Sequence, residues 1–395
     1  MTTTTCDQPA RRAAPRDHAG WLELARTTAA GPAVDDPDGR HAGRPQAPAV
    51  EALRRAGLST LLIPARCGGG GATWRTAYQV VREVAAVNGD IGLLLGHHYL
   101  LSWTPALVGT DEDRERVWSG AAAGCQVWGG APDPRDTSLT LTPRPHGGST
   151  LDGATAITSG AVLADRLAVG ATRAGTGEPL MVLVDPAGPG VALSPDEGPG
   201  GTVRFAGAAV SGHDVIARDG ASASPLTAPA IQLVFAQLYI GIAEGALDAA
   251  RAHAVARSRP WPLGQARRTG GDAYLSGAYG GLLAQVRAAR ALADQAVDDL
   301  APALHGEGGA GPAGRWHCEA AVMAATAKIA AAQASLAVAS RVFELAGADS
   351  ARARPGLARF WRYARALRDP VAHRQAEVGR EFLTGEFPPE RKAPP

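Results

Sequence analysis

The feature that most constrains this chain is a change of texture that occurs twice along it. From about residue 221 to 385 the sequence runs in long helical windows, "IQLVFAQLYIGIAEGALDAARAHAVARS", "YLSGAYGGLLAQVRAARALADQAVDDLAPAL" and "CEAAVMAATAKIAAAQASLAVASRVFELAG", in a pattern that suits helices with buried faces. Between about 126 and 220 the runs are short and are cut by Gly, Pro, Asp and Ser: "LTLTPRPHGGSTLDG", "ATAITSG", "ADRLAVGATRAG", "LMVLVDP", "TVRFAGAAV". Short runs at that spacing predict a compact β-domain. Before it, from about 46 to 125, the pattern is helical again, through "PAVEALRRAGLSTLLIP", "TAYQVVREVAAVNGDIGLLLGHHYLLSW" and "DEDRERVWSG". The order helix, strand, helix along one chain sets the class as α+β. It predicts an N-terminal helical domain over 46–125, a central β-domain over 126–220 and a C-terminal domain over 221–395. Three long helices and a terminal one predict a four-helix bundle for the last. Residues 1–45, rich in Thr, Pro, Asp, Gly and Arg, read as a mobile tail with a short helix in "HAGWLELARTTAA".

Composition removes several function classes. With 39 basic against 38 acidic residues and no basic stripe interleaved with aromatics, the chain is not expected to bind nucleic acid. Cys6, Cys67, Cys125 and Cys318 have no metal-like spacing and fit reduced thiols in the cytoplasm, so no metal is expected. The first residues lack an apolar signal region, and no uninterrupted apolar stretch reaches membrane length, so the reading is a soluble protein with no membrane partner.

Within "GDIGLLLGHHYLLSW" (89–103) two adjacent histidines interrupt an apolar run. The run predicts a buried helix, on which neighbours differ in direction by about 100°, so at most one of His97 and His98 can face a given pocket. On periodicity alone, one imidazole reads as satisfied in the core and the other as lying at an edge.

The words "IGLLLGHHYLLSW", "WGGAPDPRD", "ITSGAVLADRL", "QLVFAQLYIGIAEGAL", "RSRPWPL", "RVFELAGA", "GLARFWR" and "DPVAHRQAEVG" stand in one order from about residue 50 to 385. In that order they resemble the acyl-CoA dehydrogenase superfamily. The closer resemblance is to its dibenzothiophene monooxygenase-like branch of two-component flavin enzymes. The resemblance implies a monooxygenase that receives reduced FMN, or alternatively FAD, from a separate flavin reductase. Such an enzyme uses O2 to oxygenate a small aromatic or sulfur- or nitrogen-containing molecule, here in specialised (natural product) metabolism. It also implies a homotetramer whose flavin sites are completed by neighbouring subunits.

The same resemblance points to residues. Ser159 takes the position of a serine near flavin N5, with Thr158 and Gly160 beside it; small residues there let amides and one hydroxyl approach the ring. Ala131 and Asp133, in "WGGAPDPRD", belong to the other edge facing flavin and substrate, where relatives often carry Asn in place of Asp133. Arg259 stands where an arginine reaches a flavin phosphate across a subunit interface, a role suited to a planar guanidinium. Gly347 onward closes the phosphate end from a second subunit, with Arg352 and Arg354 as further candidates there. Without the resemblance, each of these reads equally as turn punctuation or a solvated charge.

Two absences qualify the picture. The Tyr-Glu-Gly turn that supplies the carboxylate base of many acyl-CoA dehydrogenases has no counterpart in "ALRDPVAHRQAEVG", and Glu244 is the one alternative, so thioester dehydrogenation is disfavoured. Of the histidines that dibenzothiophene-type enzymes place before the terminal Asp-Pro, one is missing and the other is Arg368, while a further one is Leu93. His97 is then the new imidazole that could face the flavin as an acid–base group, with Arg368 a fixed charge favouring an anion. His98 is expected to be structural and His373 to lie on the outer face. Two rival readings are a flavin oxidoreductase that does not oxygenate, and a non-catalytic binding relative.

Overall fold

A computed structural model describes residues 17–31, 34, 46–131, 138–145, 147–195, 200–216, 224–256, 273–306, 313–346, 356–367 and 371–384. Six helices come first: α1 (His18–Ala29), α2 (Ala47–Arg55), α3 (Trp74–Ala85), α4 (Gly89–Ser102), α5 (Thr104–Val108) and α6 (Asp111–Ala123). Their starts are written in the sequence. Asn88 caps α4 by accepting from the Asp90 and Ile91 amides, and Thr110 with Asp113 forms a capping box on α6. The helix expected within a mobile tail is instead docked. Trp21, Leu22, Ala25 and Ala29 of α1 are buried, and Arg26 pairs with Glu83 on α3 at 2.9 Å.

Eight strands follow: β1 (Trp128–Ala131), β2 (Leu139–Pro143), β3 (Ser149–Ile157), β4 (Arg166–Arg173), β5 (Pro179–Val184), β6 (Val191–Pro195), β7 (Gly201–Val210) and β8 (Val215–Ile216). They form one sheet in the order β6-β7-β3-β2-β4-β5-β8, with β1 joined to β4. The pairings of β1 and β2 with β4 are parallel and the rest antiparallel. Alternation along the strands buries Leu139, Leu141, Leu151, Val169, Val182, Val203 and Phe205 in a core of the sheet's own.

The chain then returns to helices, α7 (Thr227–Ala256), α8 (Ala273–Leu304), α9 (Ala313–Ala346), α10 (Leu357–Ala366) and α11 (Val371–Thr384). The terminal helix expected of a four-helix bundle is thus two helices, α10 ending before the Asp369-Pro370 pair and α11 starting after it, as a proline dictates. Two segments of the bundle, Thr227–Val255 and Cys318–Ala346, are in fact long and apolar enough to cross a membrane, against the expectation from sequence. In the first, 83% of the apolar window is buried inside the protein, which marks a core helix.

At the centre lies α4, apolar on nearly every face. Gly89, Gly92 and Gly96 form a stripe at i, i+3 and i+7 that lets three helices approach it. A Cβ on them would come within 2.6 Å of Tyr363 on α10, 2.8 Å of Ala85 on α3 and 2.5 Å of Val234 on α7. The stripe fixes how α4, and with it the histidine pair, is turned.

Candidate active site

The histidine pair divides as one helix must divide it. His98 is 1% exposed, and its two nitrogens meet Ser59 O at 2.6 Å and the Trp128 amide at 3.0 Å. A carbonyl only accepts and an amide only donates, so Nε2 carries the proton and Nδ1 is the acceptor. Burial pushes its pKa down to about 4; the Ser59 hydrogen bond opposes this and the Arg54 charge adds to it. The structural role expected for His98 is what these contacts describe.

His97, half-buried one position earlier, sets its ring edge-on to Phe235 of α7 at 6.1 Å between centroids. Its Nδ1 is buried and has no hydrogen-bond partner among the described residues. Burial lowers its pKa to about 4. The ring is therefore neutral at working pH, and what this position supplies is one N–H and one lone pair, not a net charge.

The strand-to-helix turn after β3 carries the other candidates. Thr158 Oγ1 accepts from the Gly130 amide at 3.2 Å, and the Thr158 amide donates back to Gly130 O at 2.8 Å, which zips the turn to β1. Ser159 is 4% exposed, and its Oγ has no hydrogen-bond partner among the described residues. Gly160 has φ +78°, and a Cβ there would collide with Leu94 of α4, so the backbone needs glycine on both counts. Leu94 lies one turn before His97, so α4 presents its imidazole beside the helix face on which the serine turn rests. Ala131 is placed differently from the expectation: its methyl belongs to the sheet's core, leaving only its backbone for a ligand.

Asp133, Arg259, Gly347, Arg352, Arg354 and Arg368 lie outside the described residues. His373 is on the outer face as expected, its side chain 64% exposed and paired with Glu377 at 3.4 Å. Glu244 accepts from Arg290 at 3.1 Å, and its pKa is raised by burial against the pull of Arg82 and Arg290. It follows Phe235 by nine residues on α7, which at about 100° per residue is the opposite face. Glu244 cannot serve as a base at the site beside His97.

Sequence reasoning missed Phe235 and Leu94. Both sit inside runs it quoted, and only packing singles them out: Val234, the neighbour of Phe235, meets Gly96 of α4, and Leu94 meets Gly160.

The chemistry of this donor set fits a flavin ring. Ser159 Oγ and His97 Nδ1 are buried and without partners among the described residues, the first on the turn that packs on Leu94 through Gly160 and the second one turn further along α4, beside Phe235. A planar heterocycle rich in acceptors and with ring N–H groups carries the complementary group for each kind of atom.

Comparison with known proteins agrees. Residues 22–125 match the acyl-CoA dehydrogenase N-terminal domain and residues 233–375 the C-terminal domain of that group. The chain is 32% identical over 364 residues to dibenzothiophene monooxygenase of Rhodococcus qingshengii, covering 86% of this chain and 87% of that protein. It is 32% identical over 351 residues to a probable FMNH2-dependent monooxygenase, SfnC, of Pseudomonas putida, covering 86% and 88%. The solved structure of TdsC from Paenibacillus sp. A11-2 with FMN and indole superposes with a TM-score of 0.84 at 30% identity, covering 94% of this chain and 99% of that one.

Proposed function

The chain belongs to the flavin monooxygenases of the acyl-CoA dehydrogenase fold, and from that we propose that it uses reduced FMN and O2 to oxygenate a small aromatic or sulfur-containing molecule at the site between α4, α7 and the Ser159 turn. The observation that carries the assignment to this site is the pair of unpartnered buried atoms, Ser159 Oγ and His97 Nδ1. Reduced FMN, supplied by a separate flavin reductase, brings the two electrons that let one oxygen atom enter the substrate while the other leaves as water.

The chain's own residues bind, orient and keep water out. Ser159 Oγ offers a hydroxyl to the edge of the cofactor ring, and the Thr158–Gly130 zipper holds that hydroxyl in place. Leu94 and Phe235 are apolar walls, which a reactive oxygen species needs so that it is not lost to solvent. Neutral His97 holds or relays a proton through its ring nitrogens, without the cost of a buried charge. Arg259 supports the phosphate in this reading, Gly347 and Arg352 close that end, Asp133 flanks the substrate, and Arg368 favours an anionic group. A homotetramer completing each site across an interface, a cytoplasmic setting and a role in specialised metabolism belong to the same proposal; light scattering that returns a monomer at micromolar concentration would remove the shared site.

The ion-paired position of Glu244 on the far face of α7 supports oxygenation over dehydrogenation. The test is turnover with reductase-supplied reduced FMN under oxygen-18 gas, with dibenzothiophene and indole as probes. Heavy oxygen in the product supports the reading; a dehydrogenated product without label would replace it with the oxidoreductase alternative.

A further inference from the structure

The strand β1 has one edge paired to β4 and one edge that no strand covers among the described residues. Successive amides of a strand point to opposite edges, and those of Trp128 and Gly130 point to the side away from β4, where both donate to side chains. Both outward amides are taken by side chains. The Gly130 amide donates to Thr158 Oγ1 at 3.2 Å and the Trp128 amide to His98 Nδ1 at 3.0 Å. Just before the strand, the Val127 amide donates to Asp165 Oδ2 at 2.7 Å, and Arg54 Nη2 reaches the same oxygen at 2.7 Å. The far nitrogen of His98 is fastened to Ser59 O at 2.6 Å.

The turn bearing Ser159 is therefore tied to α4 twice. One tie is steric, Gly160 on Leu94. The other is polar and runs from α4 through His98 to Trp128, along β1 to Gly130, and on to Thr158. His97 is the next residue to His98, so the same imidazole that grips β1 also sets how far the Ser159 hydroxyl stands from the His97 ring.

We infer that His98 is a positioning residue for the cofactor site: by holding the Trp128 amide it sets the register of β1 and the Ser159 turn against α4. This rests on the reading that FMN binds at that turn. It assigns a task to a histidine that otherwise reads as core, and it does so to one nitrogen only. The Nδ1 bond holds the strand, whereas the Nε2 bond merely anchors the ring to the Leu58–Thr60 turn.

The two bonds can be removed separately. His98→Asn places a carboxamide oxygen near the Nδ1 position and keeps an acceptor for Trp128 while losing the Ser59 anchor. His98→Gln reaches the Nε2 position and keeps the Ser59 anchor while leaving the buried Trp128 amide without an acceptor. Binding of FMN, oxidised and then photoreduced under nitrogen, is measured by calorimetry on both variants and the wild type, with circular dichroism and thermal melting alongside. The expected result is that His98→Gln binds FMN about tenfold more weakly, the loss of about one hydrogen bond from a displaced Ser159 hydroxyl, while His98→Asn stays within about threefold of wild type even if both melt earlier. Equal affinity in all three proteins, or equal loss in both variants, would overturn the inference. If His98→Gln does not fold, His98→Ala, which removes both bonds, takes its place: about tenfold weaker binding than His98→Asn supports the role, and equal affinity overturns it. A wild type that binds no FMN sinks the cofactor reading itself, an outcome distinct from a wild type that binds while His98→Gln binds equally well.

Discussion

Acidification should weaken the fold through His98, by an amount the structure sets. Its Nδ1 accepts from an amide and its Nε2 donates to a carbonyl, so a second proton on the ring would turn a donor towards a donor. Burial, reinforced by Arg54 and opposed by the Ser59 bond, holds its folded pKa at about 4 against an ordinary 6.5. Between those values the unfolded chain takes up a proton that the folded chain refuses. The stabilisation is therefore complete above the unfolded pKa and is lost as pH falls from about 6.5 towards 4. A shift of ~2.5 units at ~1.4 kcal/mol each removes about 3 kcal/mol over that window. His97 is pushed in the same direction and adds to the loss. Urea denaturation of wild type and His98→Asn from about pH 7.5 to about pH 4.5 measures it; the variant, which cannot titrate there, should lose stability less steeply, by up to ~1.4 kcal/mol per pH unit. The two stability curves should converge as pH falls. Parallel curves would refute the neutral, doubly bonded His98.

Three further outcomes follow from the site. His97→Phe should fold and bind FMN no more than about tenfold more weakly, the loss of one hydrogen bond, yet lower product formation by roughly two to four orders of magnitude, as loss of a proton-handling group does; normal turnover would return His97 to the core. Because its pKa lies at about 4, the rate profile of the wild type should show no limb near neutrality belonging to this ring. Gly160→Ala forces a methyl into Leu94 at a positive φ and should cost about 1–3 kcal/mol or more by urea denaturation; an unchanged midpoint would mean the turn and α4 are not in contact. Arg259→Ala should weaken FMN binding by calorimetry, and unchanged affinity would remove that residue from the phosphate end.

The class, the three-part order and most elements were legible because period and punctuation carry them: the 89–103 run gave α4, and "DEDRERVWSG" gave the α6 start. What was not legible depends on packing between segments distant in sequence. The Gly89–Gly92–Gly96 stripe looks like loose punctuation until Tyr363, Ala85 and Val234 are seen against it. The helix over His18–Ala29 reads as part of a tail because its neighbours are polar, yet Trp21 and Ala25 find α3. Ser159, Thr158 and Gly160 were identified by resemblance, and the structure describes them as one turn zipped to β1. The neutrality of His97 could not be read from sequence, since it comes from burial in a packed core where the ring meets Phe235, more than a hundred residues away. Glu244 could not be dismissed from sequence, because only the α7 geometry turns it to the far face.

The claim that the site between α4 and the Ser159 turn takes reduced FMN and controls its reaction with O2 is tested most directly by rapid mixing. Photoreduced FMN, with the protein in excess and no substrate present, is mixed with oxygenated buffer and its reoxidation followed by absorbance, for wild type and Ser159→Ala. The account predicts that wild type changes the course of reoxidation from that of free FMN and that Ser159→Ala moves it back towards the free flavin. Wild-type traces that coincide with free FMN would contradict it.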